Sequence, residues 1–212
     1  MTTQQYFHGT GRRKRATAQV RLYPGSSEVV INGRTLKDAL PRLGTAKFDY
    51  LVNNAGTSSS SGLATITEAE MDALYNVHFK APLFLTQKLL PLMNDGGRIV
   101  NISSGLARFT ALNRIGYGSI KAGVESLTRY MALELGPRKI AVNTVAPGPI
   151  ATDFSGGMVR DVPAINQHLA NTTALGRVGG PEDVGPVIAS LLSDDLGWVN
   201  AQRIEVAGGI HI

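Results

Sequence analysis

The sequence predicts an α/β protein: a truncated, doubly wound parallel sheet preceded by an N-terminal β-hairpin arm. Three observations carry this reading. After Phe48, short β-rich runs alternate with longer helical stretches, which is the pattern of parallel βαβ crossovers. Those runs end in Asn53-Asn54-Ala55-Gly56, Ser103-Ser104 and Pro147-Gly148-Pro149, so successive strand ends carry small and polar groups where such sheets hold a ligand crevice. Before Phe48, two β-rich runs flank Pro24-Gly25, as in a hairpin.

In chain order, residues 1–15 read as a polar arm with a cationic knot, Arg12-Arg13-Lys14-Arg15. Ala18, Val20 and Leu22 alternate with polar neighbours, and Glu28 to Ile31 returns the chain before Asn32-Gly33. Thr35 to Leu43 suggests a short helical piece disturbed by Pro41. Tyr50-Leu51-Val52 is a short buried strand. Thr67 with Glu70 forms a capping box, and a long helical stretch follows to about Met93. Arg98 to Ile102 is the next strand, Ile115 to Leu135 a helix stopped by Gly136-Pro137, and Ile140 to Val145 a third strand. Residues 150–175 show loop and helix without a clear period. Pro181-Glu182-Asp183 opens a helix to about Ser193, and Arg203 to Val206 is the last strand.

The 212 residues suffice for one globular domain plus an arm. The absence of cysteine excludes a disulfide scaffold, a thiolate metal site and a cysteine nucleophile, and the histidines show no metal-ligand spacing. The polar start, Met1 to Phe7, is no signal peptide, and no run approaches a membrane span, so a cytoplasmic chain without membrane contact is expected. Charge is uneven: residues 1–47 hold 9 Lys and Arg against 2 Asp and Glu, whereas the remainder holds 12 against 14. The basic balance therefore belongs to the N-terminal piece.

Tyr117 and Lys121 lie four residues apart on a predicted helix, so their side chains leave one face. A free phenol has a pKa near about 10 and exchanges protons poorly at neutral pH, and a neighbouring ammonium stabilises the phenolate. A phenol so adjusted exchanges a proton with an alcohol or carbonyl oxygen. Ser104 ends a strand thirteen residues before Tyr117, with Ser103 as the alternative hydroxyl. Asn76 sits inside a long helix, where Asn is a poor helix former.

Together, Asn53-Asn54-Ala55-Gly56, Asn76, Asn101-Ile102-Ser103-Ser104, Tyr117-Gly118-Ser119-Ile120-Lys121 and Pro147-Gly148 resemble the short-chain dehydrogenase/reductase family over residues 46–212. Gly176-Arg177, Pro181-Glu182-Asp183 and the segment Arg203 to Gly209 are similar to its closing segments. The resemblance implies a Rossmann-like sheet and an NAD(P)(H)-dependent oxidoreductase moving hydride between nicotinamide and a small alcohol or ketone. It implies that Tyr117 is the acid/base, that Lys121 lowers its pKa and holds the nicotinamide ribose, that Ser104 binds the substrate oxygen, and that Asn76 orders a proton-relay water. It places Asn53, Ala55 and Gly56 along the cofactor ribose, and Pro147, Gly148, Ile150 and Thr152 on the nicotinamide side. Pro147-Gly148 as a plain strand-end turn and Thr152 as a helix cap stay open. Leu106, Phe109, Leu112, Met158 and Val159 suggest an apolar substrate wall.

The family's opening strand and Thr-Gly-x-x-x-Gly-x-Gly turn, which hold the pyrophosphate at a helix N-terminus, have no counterpart in residues 1–47. Weak binding of NAD or NADP is therefore expected, with the discriminating segment lacking. Instead, Tyr6 to Lys14, Ala16 to Val20, Pro24-Gly25 and Val30 to Arg34 resemble the N-terminus of the small-subunit ribosomal protein numbered nine. That implies RNA contact through Arg12, Arg13 and Lys14. The chain thus reads as a chimera: residues 1–45 a basic arm and hairpin, residues 46–212 a dehydrogenase-like domain lacking the adenine-binding half, joined between Leu36 and Lys47. A homo-oligomer is expected from the family's habit, and a catalytically silent scaffold with an RNA-binding arm is the alternative function. The 16–33 hairpin is expected to pack beside the strand at 49–53, whose edge is otherwise bare.

Overall fold

The computed structural model describes residues 7–13, 16–22, 30–31, 34–35 and 47–212. The first four pieces are β1 (Phe7–Arg13), β2 (Ala16–Leu22), β3 (Val30–Ile31) and β4 (Arg34–Thr35), an antiparallel sheet in sequence order. Val20 pairs with Ile31 and Arg21 with Val30, which is the expected hairpin. The polar arm differs from expectation: its residues Phe7 to Arg13 pair along the whole of β2. A two-stranded hairpin is marginal in water, and β1 satisfies the second edge of β2. The Pro24-Gly25 turn and Lys14 lie outside the described residues, as does the helical piece expected over Thr35 to Leu43 except for Thr35, which ends β4.

The second sheet is parallel, in the order β5 (Phe48–Asn53), β6 (Met93–Ile102), β7 (Ala141–Pro147), β8 (Arg203–Val206). It is a Rossmann-like α/β sheet. β6 and β7 are buried on both faces over Arg98–Asn101 and Ala141–Ala146, as central strands of a covered parallel sheet must be. One face, with Ile99 and Val142, packs on Leu127, Met131 and Leu135 of α3 (Ile115–Leu135). The other, with Val100 and Val145, packs on Leu191 and flanking apolar residues of α6 (Pro181–Leu192).

β5 is an edge strand. Among the described residues it hydrogen-bonds to β6 alone, and Tyr50 is 53% and Val52 37% exposed. The hairpin expected to pack beside this strand has its described strands in a separate antiparallel sheet, with no ladder to β5 among the described residues.

The helical stretch after Thr67 is three pieces. α1 (Glu68–Tyr75) runs into a π-turn over Asn76–Lys80, followed by α2 (Ala81–Leu89). The backbone N–H of Ala81 donates to the Asn76 carbonyl, five residues back. Pro82 explains the change: it has no N–H for the His78 carbonyl, and in a regular helix its ring meets that carbonyl. One inserted residue relieves the clash, and such bulges favour functional sites. The aperiodic segment holds two helices, α4 (Met158–Asp161) and α5 (Pro163–Asn171).

Candidate active site

β5 and β6 end side by side. Asn53 donates to Asn101 Oδ1 (2.8 Å) and to Thr86 Oγ1 (3.3 Å), and Asn101 donates to Thr128 Oγ1 (2.9 Å). The Asn53 side chain is therefore spent on a buried ladder from β5 through β6 to α3. Beyond it the chain opens: Asn54, Ala55, Gly56 and Thr57 are exposed.

At the end of β6 the two serines part. Ser103 Oγ donates to Glu125 Oε1 (2.8 Å) and lies 3.2 Å from the Lys121 carbonyl, so it is turned into α3. Ser104 accepts from the Leu106 N–H (3.2 Å) as the cap of a one-turn helix over Gly105–Ala107 and keeps its own proton to donate. Arg203, paired with Glu125 (2.7 Å) and Glu205 (2.7 Å), reaches the Ser104 carbonyl at 3.4 Å. Arg108 pairs with the same Glu205 (2.8 Å) and tightens the turn that carries Ser104.

α3 contributes Tyr117 (8% exposed) and Lys121 (4% exposed). Lys121 Nζ donates to the Ile102 carbonyl (2.7 Å) and lies 5.7 Å from the Tyr117 ring centroid. Burial pushes the Lys121 pKa down to about 7. Burial also raises the Tyr117 phenol above its ordinary value, against the Ser104 hydroxyl and the Arg114 guanidinium, which lower it. The expected lowering of the phenol by Lys121 is not what this arrangement shows: burial outweighs the groups that lower the phenol, and Lys121 Nζ is turned to the Ile102 carbonyl.

Asn76 opens the π-turn, and two residues on is His78, 2% exposed, its ring centroid 5.4 Å from that of Tyr117 with the planes at 84°. Its Nε2 lies 2.7 Å from the Thr57 carbonyl. A Cβ on Gly56 would meet His78 Cε1 at 2.8 Å, so only glycine lets this loop lie on the ring. Burial first, then Lys121, push the His78 pKa from 6.5 to about 3. The sign follows directly: between pH 6.5 and 3 the unfolded chain takes up a proton that the folded chain refuses, so acidification destabilises the fold. Urea unfolding at pH 7.5 and pH 5 is expected to show a loss of at most about 1.4 kcal/mol per pH unit from this group, and the His78→Gln variant a shallower slope.

On the β7 side, the Gly148 N–H donates to the Val206 carbonyl (3.0 Å), and a Cβ there would lie 2.8 Å from Ala207. The Pro149 carbonyl accepts from Gly179 N–H (2.9 Å), and Ile150 bridges Gly179, so Pro147-Gly148-Pro149-Ile150 are held to the C-terminal segments. Thr152 Oγ1 accepts from the Phe154 N–H (3.2 Å), a capping contact. A cleft of about 290 Å³ beside Pro149, Ile150, Arg177, Asp183 and Val206 does not include Tyr117.

Three residues near the phenol carried no signal in sequence. Phe154 places its ring 6.1 Å from Tyr117, on a turn whose Ser155 donates to Ser58 Oγ (2.8 Å). Arg114 donates to Ser60 Oγ (2.9 Å) and acts on the phenol electrostatically. His78 was passed over with the other histidines, which show no metal-ligand spacing. Of the apolar wall, Leu112 is exposed and Phe109 packs on His211, ring centroids 4.8 Å apart.

The residues present fit the nicotinamide end of a dinucleotide: a loop closed on Gly56, a buried Tyr–Lys pair and a rigid strand end at Gly148. Among the described residues no group of three or more His, Asp or Glu is placed to hold a metal.

Comparisons with known proteins agree. The family described as enoyl-(acyl carrier protein) reductase matches residues 35–211. Dehydrogenase OXI1 of Cochliobolus heterostrophus is 36% identical over 165 residues, 76% of this chain and 71% of that protein. The hydroxynaphthalene reductase-like protein Arp2 of Metarhizium brunneum is 36% identical over 187 residues, 83% of this chain and 69% of that protein. Among solved structures, the angucycline C-6 ketoreductase LanV with bound NADP superposes with a TM-score of 0.75 at 34% identity, over 82% of this chain and 67% of its own. The reductase LugOII, which catalyses keto-reduction at C1 in lugdunomycin biosynthesis, gives 0.75 at 38% identity, over 82% and 69%. This chain belongs to the short-chain dehydrogenase/reductase family.

Proposed function

We propose that the chain is an NAD(P)H-dependent ketoreductase acting on a ketone, with Ser104, Tyr117, Lys121 and Asn76 as its catalytic set. The observation that carries this is the shared site of Tyr117, Lys121 and Ser104: two hydroxyls, one from the end of β6 and one from α3, with a buried amine beside the phenol ring. A reduced nicotinamide, when bound, supplies hydride to the carbonyl carbon. Ser104 and Tyr117 donate hydrogen bonds to the carbonyl oxygen, and Tyr117 gives its proton to the forming alkoxide, so carbonyl, hydride and proton balance as an alcohol. Lys121, with a pKa near 7, exchanges protons with solvent in the working range and returns one to the phenol. The carbonyl-reducing relatives support ketone reduction as the direction, and Phe154 beside Tyr117 suits a ring-bearing substrate. A panel of monocyclic and polycyclic ketones with NADPH and NADH tests the reading. Wild type is expected to reduce ring ketones, and Ser104→Ala to lose about 10²-fold in kcat/KM. No turnover with any ketone, or an unchanged Ser104→Ala, contradicts it.

A second reading concerns residues 1–47, favoured by their concentrated positive charge. Under it, Arg12, Arg13 and Lys14 contact RNA phosphates in the manner of the ribosomal segment they resemble, and homo-oligomers of the dehydrogenase-like part display that arm.

A further inference from the structure

We infer that His78 is a positioning residue of the Tyr117 site, tying the Gly56–Thr57 loop to the Asn76 turn through one ring nitrogen while its ring edge fixes Tyr117. The inference rests on the ketoreductase reading for its catalytic consequence, but its geometry stands alone.

The 2.7 Å contact to the Thr57 carbonyl requires the proton on Nε2, which donates. The Thr57 N–H, 3.3 Å from the same nitrogen, is then a poorer contact and not the bond that sets the tautomer. With Nε2 protonated and the ring neutral, Nδ1 is a bare acceptor, and it is buried with no hydrogen-bond partner among the described residues. Burial disfavours a second proton there, and Lys121, the one charged group among the described residues that acts on this ring, adds to that, so the neutral form persists.

Packing alone does not account for these facts. An orphaned buried acceptor lowers stability, and a phenylalanine would fill the same place without one. What phenylalanine lacks is the Nε2 donor. That donor holds a loop otherwise exposed from Asn54 to Thr57, at the end of an edge strand with a neighbour on one side only. The ring also lies where a Cβ on Gly56 would strike it, so loop and ring share one position. The same ring stands at 84° to the Tyr117 ring, centroids 5.4 Å apart. One side chain therefore couples the cofactor-side loop, the π-turn and the phenol. The π-turn makes this possible, since the extra residue per turn changes which side chains face α3.

The test compares His78→Phe, which keeps the ring and removes the donor, with His78→Gln, which keeps a donor able to reach Thr57. The first readout is amide hydrogen exchange of residues 54–58 in the cofactor-free chain. His78→Phe is expected to exchange about tenfold faster, the change expected for one hydrogen bond, and His78→Gln to stay near wild type. The second is the split of kinetic constants with NADPH and a ring ketone. His78→Phe raises the cofactor KM about tenfold with kcat changed far less, and His78→Gln restores it. Wild-type exchange and KM in His78→Phe would overturn the inference, as would equal losses in both variants with a parallel fall in Tm. If wild type shows no turnover, the ketoreductase reading fails by itself, and the exchange data alone decide the role of His78.

Discussion

Tyr117→Phe is expected to lower kcat for ketone reduction by about 10²–10⁴-fold, the contribution of a positioned acid/base group. The argument rests on what the substitution leaves intact. The ring stays between His78 and Phe154, at 5.4 and 6.1 Å, so the packing that defines the pocket is kept. Only the hydroxyl goes, and with it the proton donor that faces Ser104. Burial already holds this phenol above its ordinary pKa, so it is protonated through neutral pH and works as a donor for reduction. Substrate oxidation needs the phenolate and is expected to gain rate as pH rises. Initial rates from NADPH absorbance check the loss, with Tm measured alongside. A variant retaining wild-type kcat would show that the phenol takes no part.

The second large effect is on cofactor affinity. The dissociation constant for NADPH or NADH is expected to be millimolar or weaker. β5 is an edge strand with Tyr50 and Val52 in solvent, and the loop beyond it is open. Residues 1–47 contain no glycine-spaced turn that brings backbone N–H groups to a pyrophosphate, nor an acidic residue ending a second strand for the adenosine ribose. Each such contact is worth about 1–3 kcal/mol, so losing several leaves the nicotinamide end to hold the molecule, and about −4 kcal/mol corresponds to millimolar binding. A titration followed by reduced-nicotinamide fluorescence checks this, and a micromolar constant would contradict it.

Much of the fold was legible because strong local signals coincided with the tertiary structure. Gly136-Pro137 ends α3 at Leu135 as read, Arg203–Val206 is the last strand, and Thr67 caps α1, accepting from the Glu70 N–H at 3.2 Å. The capping box is only half made, since the Glu70 carboxylate turns to the Ser59 hydroxyl instead. A tertiary partner took a side chain that local pattern assigned elsewhere. β6 begins at Met93, five residues before the apolar run, through a bulge in which Gly96 takes φ +79° and a Cβ on Gly97 would meet the Asp49 carbonyl at 2.6 Å. The polar stretch Asn94-Asp95-Gly96-Gly97 reads as a loop because pairing with β5 cannot be seen in one strand alone.

At the site, Tyr117, Lys121 and Ser104 were singled out by spacing together with the family resemblance, and the two serines are distinguished by their partners: Ser103 is held by Glu125, whereas Ser104 faces the phenol. Asn53 was named for a cofactor but its amide is bound to Asn101 and Thr86. Phe154 and His78 escaped because their roles depend on long-range placement and on a π-turn that shifts the helix register.

The most direct test follows isotope from carrier to product. With NADPH deuterated at the transferred position and a ring ketone, the product alcohol from wild type is expected to carry deuterium at the carbinol carbon, and Tyr117→Phe to yield almost no labelled alcohol in the same time. Unlabelled alcohol from wild type, or equal labelling from both proteins, would contradict hydride transfer assisted by Tyr117.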